Sequence, residues 1–111
     1  MKAVLDENAP RALVAVLRGF DCSISPFPNA WKGLKNGRLL ERLEIDGFDR
    51  LLTCDKNIEW QQPLRNRKVA VVVLPVQDIK TLSAGAERIA LALKSAKPGA
   101  ATQVHLDIDL R

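Results

Sequence analysis

The sequence predicts an α/β fold, a three-layer sandwich around a mainly parallel central sheet. Three observations point there. Strand-like and helix-like segments alternate along the chain, the pattern that lays helices on the faces of a parallel sheet. The run Val69-Ala70-Val71-Val72-Val73-Leu74 is apolar without alternation, as a strand covered on both faces must be. The chain has 111 residues, 47% of them hydrophobic and 27% charged, which is enough for one packed core and too apolar for disorder. Residues 1–111 are therefore read as a single domain.

The first strand runs from Lys2 to Leu5 and stops at Asp6-Glu7. Pro10 is suited to the first position of a helix, with Asn8 or Ala9 ahead of it. Leu13, Val16, Leu17 and Phe20 then recur at helical spacing, and Gly19 is a natural stop. Cys22 to Ser25 reads as a second strand, closed by Pro26 and Pro28. A loop from Phe27 to Lys35 carries Trp31. A second helix spans about Gly37 to Asp46, with Leu39, Leu40 and Leu43 as its apolar stripe. Phe48 to Cys54 reads as the third strand, and a polar loop with Asp55, Asn57, Trp60, Gln61 and Gln62 follows.

The fourth strand, from Val69 to Leu74, ends at Pro75. A third helix is expected over about Leu82 to Ala96, stopped by Lys97-Pro98-Gly99. Finally Val104, Leu106, Ile108 and Leu110 alternate with His105, Asp107 and Asp109. That spacing predicts a half-exposed strand at a sheet edge, which can also pair with a second copy of the chain.

No apolar run approaches the roughly 18 residues of a membrane span. The three apolar residues before Asp6 are too few for a signal-peptide core, so the expected location is cytoplasmic, with no membrane partner. Cys22 and Cys54 match no zinc spacing and are expected to be reduced. The net charge of +4 is compatible with an anionic partner without requiring one.

Right-handed crossovers favour the first strand in the middle, flanked by the second and third. The ends of strands 1 and 3 then meet at a topological switch point, where open α/β sheets bind ligands. Asp6 and Glu7 follow strand 1, and Asp55 follows strand 3. Carboxylates brought together there repel and need a proton or a cation. An oxygen-rich site suits Mg²⁺ or Mn²⁺, which keep several waters and use one or two protein carboxylates. Asn8, Asn36 and Asn57 offer neutral oxygens nearby. The plainer readings are turn formation for Asp55 and Asn57 and helix capping for Asn8 and Asn36.

The stretch Leu5-Asp6-Glu7-Asn8-Ala9-Pro10 with its arginine-bearing helix, followed later by Leu51-Leu52-Thr53-Cys54-Asp55-Lys56-Asn57, resembles the PIN-like nuclease superfamily. The likeness is to its short bacterial branch, related to VapC-type toxins, and covers the chain from Val4 to about Leu93. The resemblance implies a metal-dependent ribonuclease using Mg²⁺ or Mn²⁺. It assigns Asp6 and Asp55 as metal ligands and catalytic acids. Asn36 and Asn57 fall where relatives often carry further acids. Glu41 falls near a helical glutamate of fuller PIN domains, although an ion pair with Arg38 or Arg42 is its plainer reading. The asparagines leave fewer charges than a full site has, so an RNA-binding or protein-interaction module without turnover fits the same residues.

In an active enzyme Glu7 or Glu41 would orient the attacking water, and Thr53 would hydrogen-bond a ligand carboxylate. Lys32, Lys35, Arg38, Lys56 and Arg65 would steer a phosphate backbone. Trp31 and Trp60 would stack on unpaired bases or else cover the core. RNA is the expected partner, and the resemblance admits an antitoxin protein and a homodimer. A receiver-type phosphorelay domain also places acids after strand 1 and an aspartate after strand 3. Leu74-Pro75, without a Ser or Thr after strand 4, and Lys97-Pro98, ahead of the last strand, argue against it.

Overall fold

The computed structural model describes residues 1–58 and 63–106. Strands β1 (Ala3–Leu5), β2 (Ile24–Ser25), β3 (Arg50–Thr53), β4 (Ala70–Val73) and β5 (Ala101–Gln103) form one five-stranded sheet in the order β2-β1-β3-β4-β5. Every pairing is parallel, so the sheet is wholly rather than mainly parallel. Helices α1 (Leu13–Arg18), α2 (Asn36–Ile45), α3 (Ile79–Ala84) and α4 (Ala86–Ser95) flank it, with a 3₁₀ turn at Asn29–Trp31. None of the described helices is long and apolar enough to cross a membrane.

Successive side chains of a strand point to opposite faces, and this divides the core in two. Ala3, Leu5, Ile24, Leu52, Ala70 and Val72 pack under α1, α3 and α4, against Leu13, Leu17, Leu82, Ile89 and Leu93. Val4, Leu51, Val71 and Val73 pack under α2, against Trp31, Leu39, Leu40 and Leu43, with Ile58 and Leu64 of the β3–β4 connection. The continuous apolar run at β4 is thus explained: all of its residues are buried, alternately in the two layers.

The crossovers differ in hand. From β1 to β2 the chain steps one way across the sheet through α1. From β2 to β3, and on to β4, it steps the other way through the opposite layer, which preserves the hand. From β4 to β5 it keeps that second direction but travels through α3 and α4, back in the layer of α1. The last crossover is therefore of opposite hand to the others. Since nearly all such units are right-handed, the β4–α3–α4–β5 unit is the left-handed exception.

Three expectations are corrected. The third helix is two helices meeting at Gly85. A Cβ placed there would lie 2.6 Å from Leu106 Cδ2, so the bare backbone is what lets Leu106 pack against the junction. The last paired strand is Ala101–Gln103, not the alternating segment that starts at Val104. Gly99, at φ +80°, turns the chain so that its N–H reaches Val69 O and Val71 N–H reaches Ala100 O. Residues 107–111 of the predicted strand lie outside the described residues. Helix α1 begins only at Leu13. Pro10 and Arg11 form the preceding turn, accepting from Leu13 and Val14 N–H through their carbonyls, and Phe20 is exposed rather than core.

Candidate functional site

Parallel register brings the two acids together. Leu5 pairs with Leu52, and the Asp6 N–H continues the ladder by donating to Leu52 O at 2.8 Å. Asp6 therefore leaves the carboxyl end of β1 beside Thr53, the last residue of β3, and Asp55 follows two residues on. β1 and β3 are the strands from which the chain departs in opposite directions, so the site occupies the switch point at which such sheets bind ligands.

Thr53 joins the two acids. It is fully buried, and its hydroxyl donates to Asp6 Oδ2 at 2.7 Å. The same oxygen accepts from the Asp55 N–H at 3.0 Å and from Asn8 Nδ2 at 3.2 Å. A hydroxyl has one proton to give and two lone pairs to fill, so these three bonds exhaust it; Asn8 Oδ1, at 3.4 Å, is a more distant acceptor for the same proton. The remaining Asp6 oxygen, Oδ1, accepts from the Glu7 N–H at 2.8 Å. Asp55 Oδ1 accepts from the Asn57 N–H at 3.0 Å, and Oδ2 accepts from Asn36 Nδ2 at 3.4 Å.

Only 8% of Asp6 is exposed, and burial raises its carboxyl above the usual aspartate range. The hydrogen bonds from Thr53 and the Glu7 N–H pull the other way, whereas the negative charges of Glu7 and Asp55 add to the rise. The site thus holds a carboxylate that water cannot fully solvate beside a second acid that repels it. A proton or a cation would relieve both strains. The donor set suits a hydrated Mg²⁺ or Mn²⁺: hard oxygen atoms, two carboxylates and neighbouring amides. Among the described residues no three His, Cys, Asp or Glu side chains converge, so such an ion would rely on water for most of its shell.

The other sequence-predicted residues divide by place. Asn36 opens α2 and reaches Asp55, so it belongs to the rim; the residue ahead of the helix is Lys35, not Asn36. Glu7 and Asn57 are exposed and touch the acids through their backbone N–H groups. Lys32, Lys35, Arg38 and Lys56 are exposed on the segments leading to and from this rim. Glu41 is exposed farther along α2.

Arg65 is not brought to the rim. It sits in a turn closed by Arg67 N–H on Leu64 O, beside Gly99, where the chain enters β5. That is the amino end of the sheet, opposite the acids, because the connection from β3 has by then returned to start β4. Trp31 is core. It is 4% exposed and lies edge-on to Phe27 and Phe48, at centroid distances of 6.0 and 5.5 Å. Its indole is therefore not a surface on which a base can stack. Trp60 lies outside the described residues.

Asn8 does not cap α1, whose preceding residue is Ala12; its side chain is engaged with the end of β3 instead. Its Oδ1 accepts from the Cys54 N–H at 3.0 Å, its Nδ2 reaches Thr53, and its backbone O accepts from Gln77 Nε2 at 2.9 Å. Gln77, in the loop after β4, carries no motif that would have singled it out. The Cys54 thiol faces Val76 O at 3.5 Å. Burial first, and the charge of Asp6 second, push it above its ordinary value, which disfavours the thiolate that a nucleophile needs.

Comparison with known proteins finds no matching family model, curated protein or solved structure.

Proposed function

We propose that this chain is a Mg²⁺- or Mn²⁺-dependent ribonuclease of PIN-like type, working in the cytoplasm as the toxin of a toxin–antitoxin pair. The observation that supports this best is the Asp6–Thr53–Asp55 arrangement at the switch point: the Thr53 hydroxyl bonds the Asp6 carboxylate and the Asp55 backbone, and the charge of Asp55 adds to the rise of the buried Asp6 carboxyl. Asp6 and Asp55 would hold the ion, with the amide oxygens of Asn36 and Asn57 close by. A bound ion there supplies charge neutralisation at the phosphoryl oxygens and acidifies a coordinated water. Glu7, exposed beside Asp6, would take the proton of an attacking water at a carboxylate oxygen, and Glu41 would be the more distant alternative. Lys32, Lys35, Arg38 and Lys56 would draw the RNA backbone over the rim.

Cleavage of a single-stranded RNA, followed on a gel with Mn²⁺ present, tests the reading. Wild type cuts, whereas Asp6→Asn and Asp55→Asn lose at least about a hundredfold in rate, the scale of removing a group from the charge-stabilising set. Equal cutting by all three proteins would assign the activity to a contaminant.

The absence of a third converging acid among the described residues favours a second reading, an RNA-binding or protein-interaction module that does not cut. It predicts RNA affinity without cleavage in wild type, insensitive to Asp55→Asn. The sheet order is also that of doubly wound receiver domains. Leu74-Pro75 still offers no hydroxyl after β4, and Lys97-Pro98 precedes β5.

A further inference from the structure

We infer that Asn8 is a positioning residue for the Asp6–Asp55 pair, and that Gln77 holds it in place from the loop after β4. This rests on the reading that the pair binds a divalent ion. Asn8 contacts two other segments through three different atoms. Its Oδ1 takes the Cys54 N–H, its Nδ2 gives to Thr53 Oγ1, and its backbone O takes Gln77 Nε2. The ends of β1, β3 and β4 are thereby tied at one residue, β3 through its side chain and the loop after β4 through its backbone carbonyl.

The bond to Thr53 matters most. With both lone pairs of Oγ1 filled, by Asn8 Nδ2 and the Asp55 N–H, the Thr53 proton is directed at Asp6 Oδ2. Remove Asn8 and one lone pair empties. The hydroxyl can then turn, and the Asp6 carboxylate loses the donor that fixes its plane. At the same time the Cys54 N–H loses its acceptor, which frees the backbone that carries Asp55. Asn8 thus sets the orientation of one acid and the placement of the other without being a ligand. Its amide both accepts from the β3 end and donates to Thr53, a combination that an aspartate at this position lacks.

The test is a Mn²⁺ titration of wild type, Asn8→Ala, Asn8→Asp and Gln77→Ala, read by electron paramagnetic resonance with the metal alone. Denaturant unfolding of each protein shows that it is folded under those conditions. Asn8→Ala is expected to weaken Mn²⁺ binding about 10–100-fold, the usual effect of removing a group that orients a ligand. It also alters the spectrum of the bound ion, which a loss of global stability alone does not do. Without metal, amide exchange at Cys54 and Asp55 speeds up in the same variant. Asn8→Asp fails to restore affinity despite its added charge. Gln77 is exposed, so Gln77→Ala folds, and it weakens binding in the same direction by a smaller factor. If Asn8→Ala does not fold, Gln77→Ala decides. Folded variants that bind Mn²⁺ as wild type does overturn the positioning role and leave the metal reading standing. Wild type that binds no Mn²⁺ overturns the metal reading, and this role with it.

Discussion

Asp6 is the residue at which burial and charge conflict most sharply. Its raised carboxyl value has a definite sign in the stability of the chain. Between the ordinary aspartate value of 3.8 and the raised folded-state value, the folded protein holds more protons than the unfolded one. Asp6 therefore contributes stability that is fully present below 3.8 and lost as pH rises through its folded value. Glu44 and Asp49 behave oppositely. Backbone hydrogen bonds from Lys68 and Lys2, with Arg67 and Arg50 beside them, lower their values, and their contribution is lost on acidification. The expected outcome is specific to Asp6. In chelator, wild type gains stability relative to Asp6→Asn on moving from neutral to mildly acid pH. Urea unfolding of both proteins at the two pH values measures that difference. A bound Mn²⁺ would hide the effect, because the ion stabilises the charged carboxylate that acid removes.

Much of the element scale was legible, for identifiable reasons. Strands β1 and β4 stand out because burial on both faces demands uninterrupted apolar residues, and β3 through Leu51 and Leu52 at its centre. The two acids were legible because they sit at or within two residues of strand ends, where topology alone decides their neighbours. What failed were features set by a single backbone contact. Gly85 reads as a tolerated glycine inside a helix, and only the packing of Leu106 shows why the helix divides there. The polar Thr102 and Gln103 of β5 carry no strand signal, since edge exposure removes the need for apolar alternation. Asn8 was misread because an asparagine ahead of a helix resembles a cap, whereas its partners lie more than forty residues away.

Trp31 illustrates the same limit, because an aromatic residue in a loop reads equally well as a lid or as a stacking platform. With the ring wedged between Phe27 and Phe48, Trp31→Ala is expected to cost about 3–5 kcal/mol in denaturant unfolding, the range for emptying a large aromatic site. Trp31→Phe keeps most of that stability and leaves RNA affinity unchanged, which filter binding would check.

At the scale of the whole molecule, the basic residues expected to steer a phosphate backbone fall at different ends of the sheet. Lys32, Lys35, Arg38 and Lys56 lie along the segments at the acidic rim, and Arg65 lies at the opposite end. Binding of single-stranded RNA measured over a range of salt concentrations separates them. Lys35→Ala and Lys56→Ala should each reduce the steepness of log affinity against log salt by about 0.7, the value of one released counterion on a single strand. Arg65→Ala should leave it unchanged. A uniform effect of all three would point to diffuse attraction by the net charge rather than to a track over the site.

The left-handed return from β4 to β5 also determines what the molecule keeps hidden. Strand β4 is a run of small and branched apolar residues, Ala70 to Val73, with ladder groups on both sides. One side is taken by β3. The other is taken only by β5, three residues that are partly or fully exposed and mostly polar. If β5 detaches, a valine-rich edge faces solvent with its hydrogen-bonding groups free, which is the template on which chains stack into cross-β aggregates. The least conspicuous strand of the sheet thus guards the chain against self-assembly, and Thr102 and Gln103 at the rim make a poor surface for further growth.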